Sequence, residues 1–218
     1  MPLYRGEPAA GPWRVVLASD VLALLGRPRV VAVDGRSGGG KTTVAARLAA
    51  AVPGAAVVHT DDVAWYHAFF DWADLLRDGV LAPLRDGRAV AYRPPQWDRR
   101  GRVGAIVVPA DCPLVVVEGV GAGRRELGPY VDALVWVQTD ADEGMRRVLD
   151  RDGADAAGFA AEWQAAEDPF QERERPWERA GHVVCGAPKV PHDPRTELVV
   201  AGNPGAAEND LPVVRGRR

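Results

Sequence analysis

The stretch DGRSGGGKTT, residues 34–43, restricts the fold of this chain more than any other part of it. Gly35, Gly40, Lys41 and Thr42 satisfy the pattern G-x-x-x-x-G-K-[ST], with an apolar β-branched run, RVVAVDG, before it and a helix-like run, TTVAARLAAAV, after it. Glycines let such a loop curl until successive backbone N–H groups face inward, and the following helix N-terminus adds partial positive charge. The expected cradle for nucleotide phosphates is Gly35, Ser37, Gly38, Gly39, Gly40, Lys41, Thr42 and Thr43. Of 27 basic residues only Lys41 and Lys189 are lysine. A compact ammonium on a flexible stem can follow β- and γ-phosphates inside a tight loop, where the planar fork of Arg would crowd it. Thr42 offers its hydroxyl to Mg²⁺. A nucleoside triphosphate and Mg²⁺ are therefore the expected cofactors of the loop.

Strand-like and helix-like segments alternate along the rest of the chain. RVVAVDG, AAVVHT, PLVVVEG, DALVWVQ and HVVCG read as five buried strands, because their apolar runs are continuous rather than alternating. Helical patterns separate them, so the expected fold is α/β: a three-layer nucleotide-binding fold with a mostly parallel five-stranded sheet, helices on both faces and a helical lid. Residues 14–25 carry apolar side chains at helical spacing and predict a helix. FFDWADLLRDGVLAPL predicts a helix interrupted near Gly79 and Pro83, and AVAYRPPQWDRRGRVGAIVVPA predicts two strand-like pieces around a proline-rich turn. The chain of 218 residues is expected to form one domain, with the lid at about 146–180 and a loose tail at about 202–218.

Composition narrows the setting. No apolar run is long enough to span a bilayer, and the first residues, MPLYRGEPAAGPW, lack the basic and apolar regions of a secretory leader. A cytoplasmic location with no membrane partner follows as the expectation. A net charge of −3 argues against a nucleic-acid partner gripped over a broad surface. Cys112 and Cys185 lack metal-ligand or redox spacing and read as buried thiols. A homo-oligomer stays open.

In open parallel sheets the ligand crevice lies at the C-terminal strand ends, and acidic residues collect there in this sequence. Asp61 and Asp62 follow the second strand; a carboxylate there can take the proton of an attacking hydroxyl or hold Mg²⁺, while one of the pair can serve only as a helix N-cap. Glu118 closes VVVE and suits the orientation of Mg²⁺, so Thr42, Asp61 and Glu118 form the candidate metal set. Arg147 and Arg151 share a helix face beside Arg146, leading into the Trp-bearing, charged run FAAEWQAAEDPFQERERPWERA. Arginines on a closing lid can neutralise charge on a transferred phosphoryl group and expel water, or can belong to an ordinary solvated helix pair. Trp65, Tyr66, Trp72 and Trp97 offer stacking surfaces for a flat or sugar-like acceptor, or core packing. Arg93, Arg99, Arg100 and Arg102 fit an acceptor bearing a phosphate or carboxylate, or a solvated hairpin tip. Lys189 follows the fifth strand and either reaches the nucleotide or lies on the surface.

Over residues 29–186 the set DGRSGGGKTT, HTDDVAW, AYRPPQWDRRGR, VVVEGVGA and RRVLDRD resembles uridine kinase-like members of the P-loop nucleoside and nucleotide kinases. The resemblance implies an ATP-dependent kinase acting on a small-molecule acceptor. It implies that Asp61 is the base for the acceptor hydroxyl, that Glu118 is the acid of the E-G pair, and that Arg147 and Arg151 are the lid arginines. A nucleoside-contacting segment would fall on Trp97 and Asp98, with Arg93, Trp65 and Tyr66 nearby. This chain departs from the pattern: an aromatic pair usually follows the Asp directly, whereas here Trp65 and Tyr66 are displaced, and Trp97 stands where Tyr is usual. A nucleoside monophosphate kinase and a nucleotide-gated regulatory ATPase are the alternatives; an N-K-x-D guanine signature is missing from the sequence.

Overall fold

Strand β2 (Val30–Gly35) is buried along its whole length, and so is β6 (Val115–Glu118). In the computed structural model, which describes residues 3–202, these strands lie side by side and parallel, with Val30 against Val115 and Val33 against Glu118. Before β2 come β1 (Arg14–Leu17) and α1 (Ala18–Leu24), and between β2 and β6 lie α2 (Lys41–Ala50), β3 (Ala56–His59), α3 (Thr60–Val63), α4 (Ala73–Leu76), α5 (Ala82–Arg85), β4 (Val90–Tyr92), α6 (Pro95–Arg99) and β5 (Ile106–Val108). After β6 come β7 (Ala133–Gln138), α7 (Ala141–Asp152), α8 (Ala157–Glu174), β8 (His182–Cys185) and β9 (Glu197–Gly202).

The main sheet runs β1-β9-β8-β7-β2-β6-β3. Its five parallel members, β8, β7, β2, β6 and β3, are the five strands read from the sequence. Two further strands correct the expected count to seven. β9 pairs antiparallel with β8, and β1 pairs antiparallel with β9 through Arg14–Val200 and Val16–Leu198. The helix expected over 14–25 is accordingly only its second part, α1. Residues 15–17 are β-branched or apolar, and the whole of 14–17 gains a ladder partner, a backbone requirement that outweighs its helical spacing. Gly202 closes β9, and residues 203–218 of the expected tail lie outside the described residues.

Alternate residues of the central strands serve two cores. Val31, Val33, Val116, Val135 and Val137 pack with α1 and α2, while Val30, Ala32, Val115, Val117 and Trp136 pack on the opposite face beneath the helices that follow β3. Both faces are covered, which is why the runs are continuous. The N-terminal segment completes the second face: Tyr4 stacks on Trp177 with ring centroids 5.7 Å apart, and Glu7 accepts hydrogen bonds from the Trp136 indole and the Gln138 amide at 2.6 and 2.8 Å. The interruption expected near Gly79 is a π-helical turn (Arg77–Leu81) joining α4 to α5. There the Tyr92 ring rests on Gly79 so closely that a Cβ would lie 2.5 Å from it. β4 and β5 form a separate two-stranded ribbon around α6, in keeping with the two strand-like pieces read from the sequence. Cys112 is buried and Cys185 half-buried, both as free thiols. Among the described residues no helix is long and apolar enough to cross a membrane.

Candidate active site

The end of β2 and the start of α2 hold residues 35–42 as a tight loop. Gly38 has φ +69° and approaches α7 so closely that a Cβ would lie 2.1 Å from the Gly144 carbonyl oxygen. Gly40 caps α2 at φ +95°, a left-handed conformation that an L side chain strains to adopt. Lys41, the first residue of α2, is buried and donates from Nζ to the Arg36 carbonyl at 2.9 Å, which folds the ammonium back over the loop. Behind the loop, the buried Asp34 carboxylate accepts from the N–H groups of Gly35, Gly121 and Gly123 and from the Gln171 amide. These bonds tie β2, the turn after β6 and α8 together; burial still raises the Asp34 pKa, because desolvation outweighs the four donors.

Sheet order brings the acids to the loop. β6 lies between β2 and β3, so its last residue, Glu118, sits opposite His59 in register and beside the loop. Glu118 Oε1 accepts from Thr42 Oγ1 at 3.0 Å and meets His59 Nδ1 at 2.5 Å. Asp61 follows in the first turn of α3. Its side chain is open to the cleft, yet the surrounding walls displace enough water that burial raises its pKa; Glu118 adds to the rise, and Lys41, Arg151 and His59 oppose it. Thr42, Glu118 and Asp61 present oxygen donors only, the chemistry suited to Mg²⁺. Among the described residues no group of three or more His, Cys, Asp and Glu side chains forms a complete metal cage. Mg²⁺ held largely by water and substrate phosphates requires only one or two protein oxygens.

These residues line one cleft of about 950 Å³. Lys41, Asp61 and Glu118 lie on its polar side together with Arg147 and Arg151. Arg147 donates to the Gly186 carbonyl at 2.9 Å and pairs with Glu143 at 2.7 Å, so it spans from α7 to the turn after β8. Arg151 is paired with Asp152 at 2.7 Å. The other wall is aromatic: Trp65, Tyr66, Phe69, Phe159 and Trp163. Tyr66 and Phe70 both have positive φ, +57° and +62°, which is unusual for bulky residues and marks the segment carrying these rings as held by its surroundings.

Other residues singled out in the sequence lie elsewhere. Asp62 pairs with Arg102 at 2.5 Å, and its carbonyl accepts from the buried Trp97 indole at 2.8 Å. Arg93 pairs with Asp98 at 2.7 Å. Arg93, Trp97 and Asp98 therefore brace the ribbon rather than line the cleft. Arg100 lies over the Tyr66 ring at 3.8 Å, outside the cleft lining, and Lys189 is exposed on the turn after β8. Sequence reasoning missed His59, Phe69, Trp163 and Glu167. The signal for His59 was its place at a strand end; Trp163 and Glu167 are one helical turn apart, yet only tertiary packing aims them at the loop.

No protein-family model matches the sequence, and no curated protein matches it either. Solved structures do. A possible uridine kinase from Bacillus stearothermophilus superposes with a TM-score of 0.52 at 22% identity, covering 76% of this chain and 96% of its own. A provisionally named fructose transport system kinase from a Silicibacter species gives a TM-score of 0.53 at 21% identity, covering 73% and 93%. The chain has the fold of the P-loop kinases: a mostly parallel sheet with helices on both faces and a tight glycine-rich loop between β2 and α2.

Proposed function

We propose that this protein is an ATP-dependent, Mg²⁺-requiring kinase that transfers the γ-phosphoryl group to a hydroxyl of a small, ring-bearing acceptor, drawing on the ATP of the cytoplasm. The observation that carries the reading is the convergence of Lys41, Asp61 and Glu118 on one cleft that has an aromatic wall. The loop N–H groups and Lys41 would hold the phosphates, with Lys41 exchanging its bond to the Arg36 carbonyl for phosphate oxygens. Thr42 and Glu118 would hold Mg²⁺, which when bound withdraws charge from the phosphates. Asp61 would orient the acceptor hydroxyl and take its proton, a task helped by a pKa above the ordinary carboxylate value. Arg147 and Arg151 would neutralise charge on the transferred group, and the aromatic wall would hold the acceptor's ring and exclude water.

A phosphate-bearing acceptor gains no support from the arginine-rich ribbon. Arg93 and Arg102 are paired with Asp98 and Asp62, and Arg100 is stacked on Tyr66 outside the cleft. The test is ADP release from Mg-ATP with a panel of nucleosides, nucleoside monophosphates, and sugar and vitamin alcohols against a no-acceptor control. The names of the two structural neighbours place uridine and fructose in that panel. Release stimulated by a neutral alcohol is expected. Stimulation only by monophosphates would move the reading to a nucleotide kinase, and acceptor-independent release would move it to a regulatory ATPase.

A further inference from the structure

Trp163 stands between the two halves of the cleft. Its indole N–H is shared between Ser37 Oγ at 2.8 Å, in the phosphate loop, and Glu167 Oε2 at 2.6 Å, one turn further along α8. Glu167 is buried, and its other oxygen accepts from the Ser37 backbone N–H at 3.0 Å and from the Tyr4 hydroxyl at 2.5 Å. The ring of Trp163 packs within the aromatic wall of the cleft: Phe69 meets it edge-on at 4.9 Å, and Phe70 lies 5.2 Å away. Phe70, in its left-handed conformation, also stacks on Phe170 of α8 at 4.0 Å and 10°. The aromatic segment after α3 and Ser37 are thus both anchored on α8, and Trp163 is the side chain that touches both.

We propose that Trp163 is a positioning residue that couples the aromatic acceptor-side segment to the phosphate loop, so that order in Phe69 and Phe70 is felt as nucleotide affinity through Ser37. This inference rests on the kinase reading above. A change in the Phe69–Phe70 packing tilts the indole, and the indole N–H can then no longer satisfy Ser37 Oγ in the loop geometry that receives phosphate. Two linked sites must influence each other reciprocally, so an acceptor that packs on Phe69 tightens nucleotide binding, and nucleotide tightens acceptor binding by the same factor.

The experiment is a double-mutant cycle on the full chain, read by calorimetric titration with Mg²⁺ and a non-hydrolysable ATP analogue. Phe69→Ala should weaken analogue binding by about fivefold in the native background, although Phe69 lies on the acceptor side. In a Trp163→Phe background, which keeps an aromatic ring and removes the N–H, the same change should weaken binding less than about twofold. Ser37→Ala cuts the link from its other end without disturbing α8; it replaces Trp163→Phe if that variant fails to fold, and it should abolish the Phe69 effect in the same way. An equal loss from Phe69→Ala in all backgrounds would overturn the coupling while leaving the kinase reading intact. Analogue binding that survives Lys41→Ala unchanged would overturn the kinase reading, and the coupling with it.

Discussion

Asp61 and Asp62 are adjacent in sequence and face opposite neighbours: Asp61 opens into the cleft beside Lys41, Glu118 and Arg151, whereas Asp62 is closed off by a 2.5 Å pair with Arg102. The first turn of α3 separates two identical side chains by the rotation of one helical residue, and the ribbon claims the second. The two aspartates therefore have separable roles. Asp61→Asn should lower phosphoryl transfer by about 10²-fold or more with nucleotide affinity kept. Asp62→Asn removes a half-exposed ion pair, so it should cost at most about 1 kcal/mol of stability and leave turnover within a few-fold. Steady-state kinetics and thermal unfolding of both variants decide the assignment; equal losses of turnover would reject it.

Lys41 contributes to the fold through a hydrogen bond to the Arg36 carbonyl. Lys41→Ala should cost about 1 kcal/mol, a melting shift of roughly 2–4 °C. Turnover should fall by about 10²-fold or more, as for a removed electrostatic donor. Circular dichroism melts beside the ADP-release assay separate the two effects.

Glycines distinguish loop geometry from mere helix composition. Gly38→Ala puts a methyl group 2.1 Å from the Gly144 carbonyl oxygen at φ +69°, with backbone on both sides of the clash. A loss of about 3 kcal/mol is expected, with a melting temperature lower by roughly 6–12 °C and nucleotide binding lost. Gly158→Ala, in α8 with nothing within 4 Å of the new methyl group, should instead stabilise by up to about 1 kcal/mol. Paired thermal melts provide the comparison.

Part of the acid-side dependence of stability should come from His182. His182 is buried in β8, its Nδ1 has no hydrogen-bond partner among the described residues, and burial lowers its pKa below the ordinary value. The unfolded chain therefore binds the proton more readily, so this contribution is full above pH about 6.5 and is lost as pH falls toward the folded-state value. His182→Leu removes it. Denaturant unfolding of both proteins across pH should give a stability difference that is flat above about 6.5 and declines below it by at most about 1.4 kcal/mol per pH unit. A difference that stays flat to pH 5 would contradict this assignment.

Much of this architecture is legible in the residues themselves. The glycine-rich loop is written in consecutive letters, and the parallel strands announce themselves because burial on both faces demands unbroken apolar runs. β1 was hidden because Val15, Val16 and Leu17 run directly into α1, so that the whole of 14–25 reads with helical spacing. β9 was hidden because an antiparallel edge added from beyond a Pro-containing turn carries no local mark of its partner.

The site divides in the same way. Local sequence alone determined that Gly35–Thr42 would curl into a tight loop and that Asp61 and Glu118 would stand at or just past strand ends, since curling needs only glycine's backbone freedom and strand ends follow from hydrophobic period. The tertiary structure alone decided that Glu118 meets Thr42 and His59, that Asp62 is spent on Arg102, and that Trp163 and Glu167 reach Ser37 from about 130 residues away. Those contacts depend on strand order and on the angle at which α8 crosses the sheet, and both are set by long-range packing that no short stretch of chain encodes.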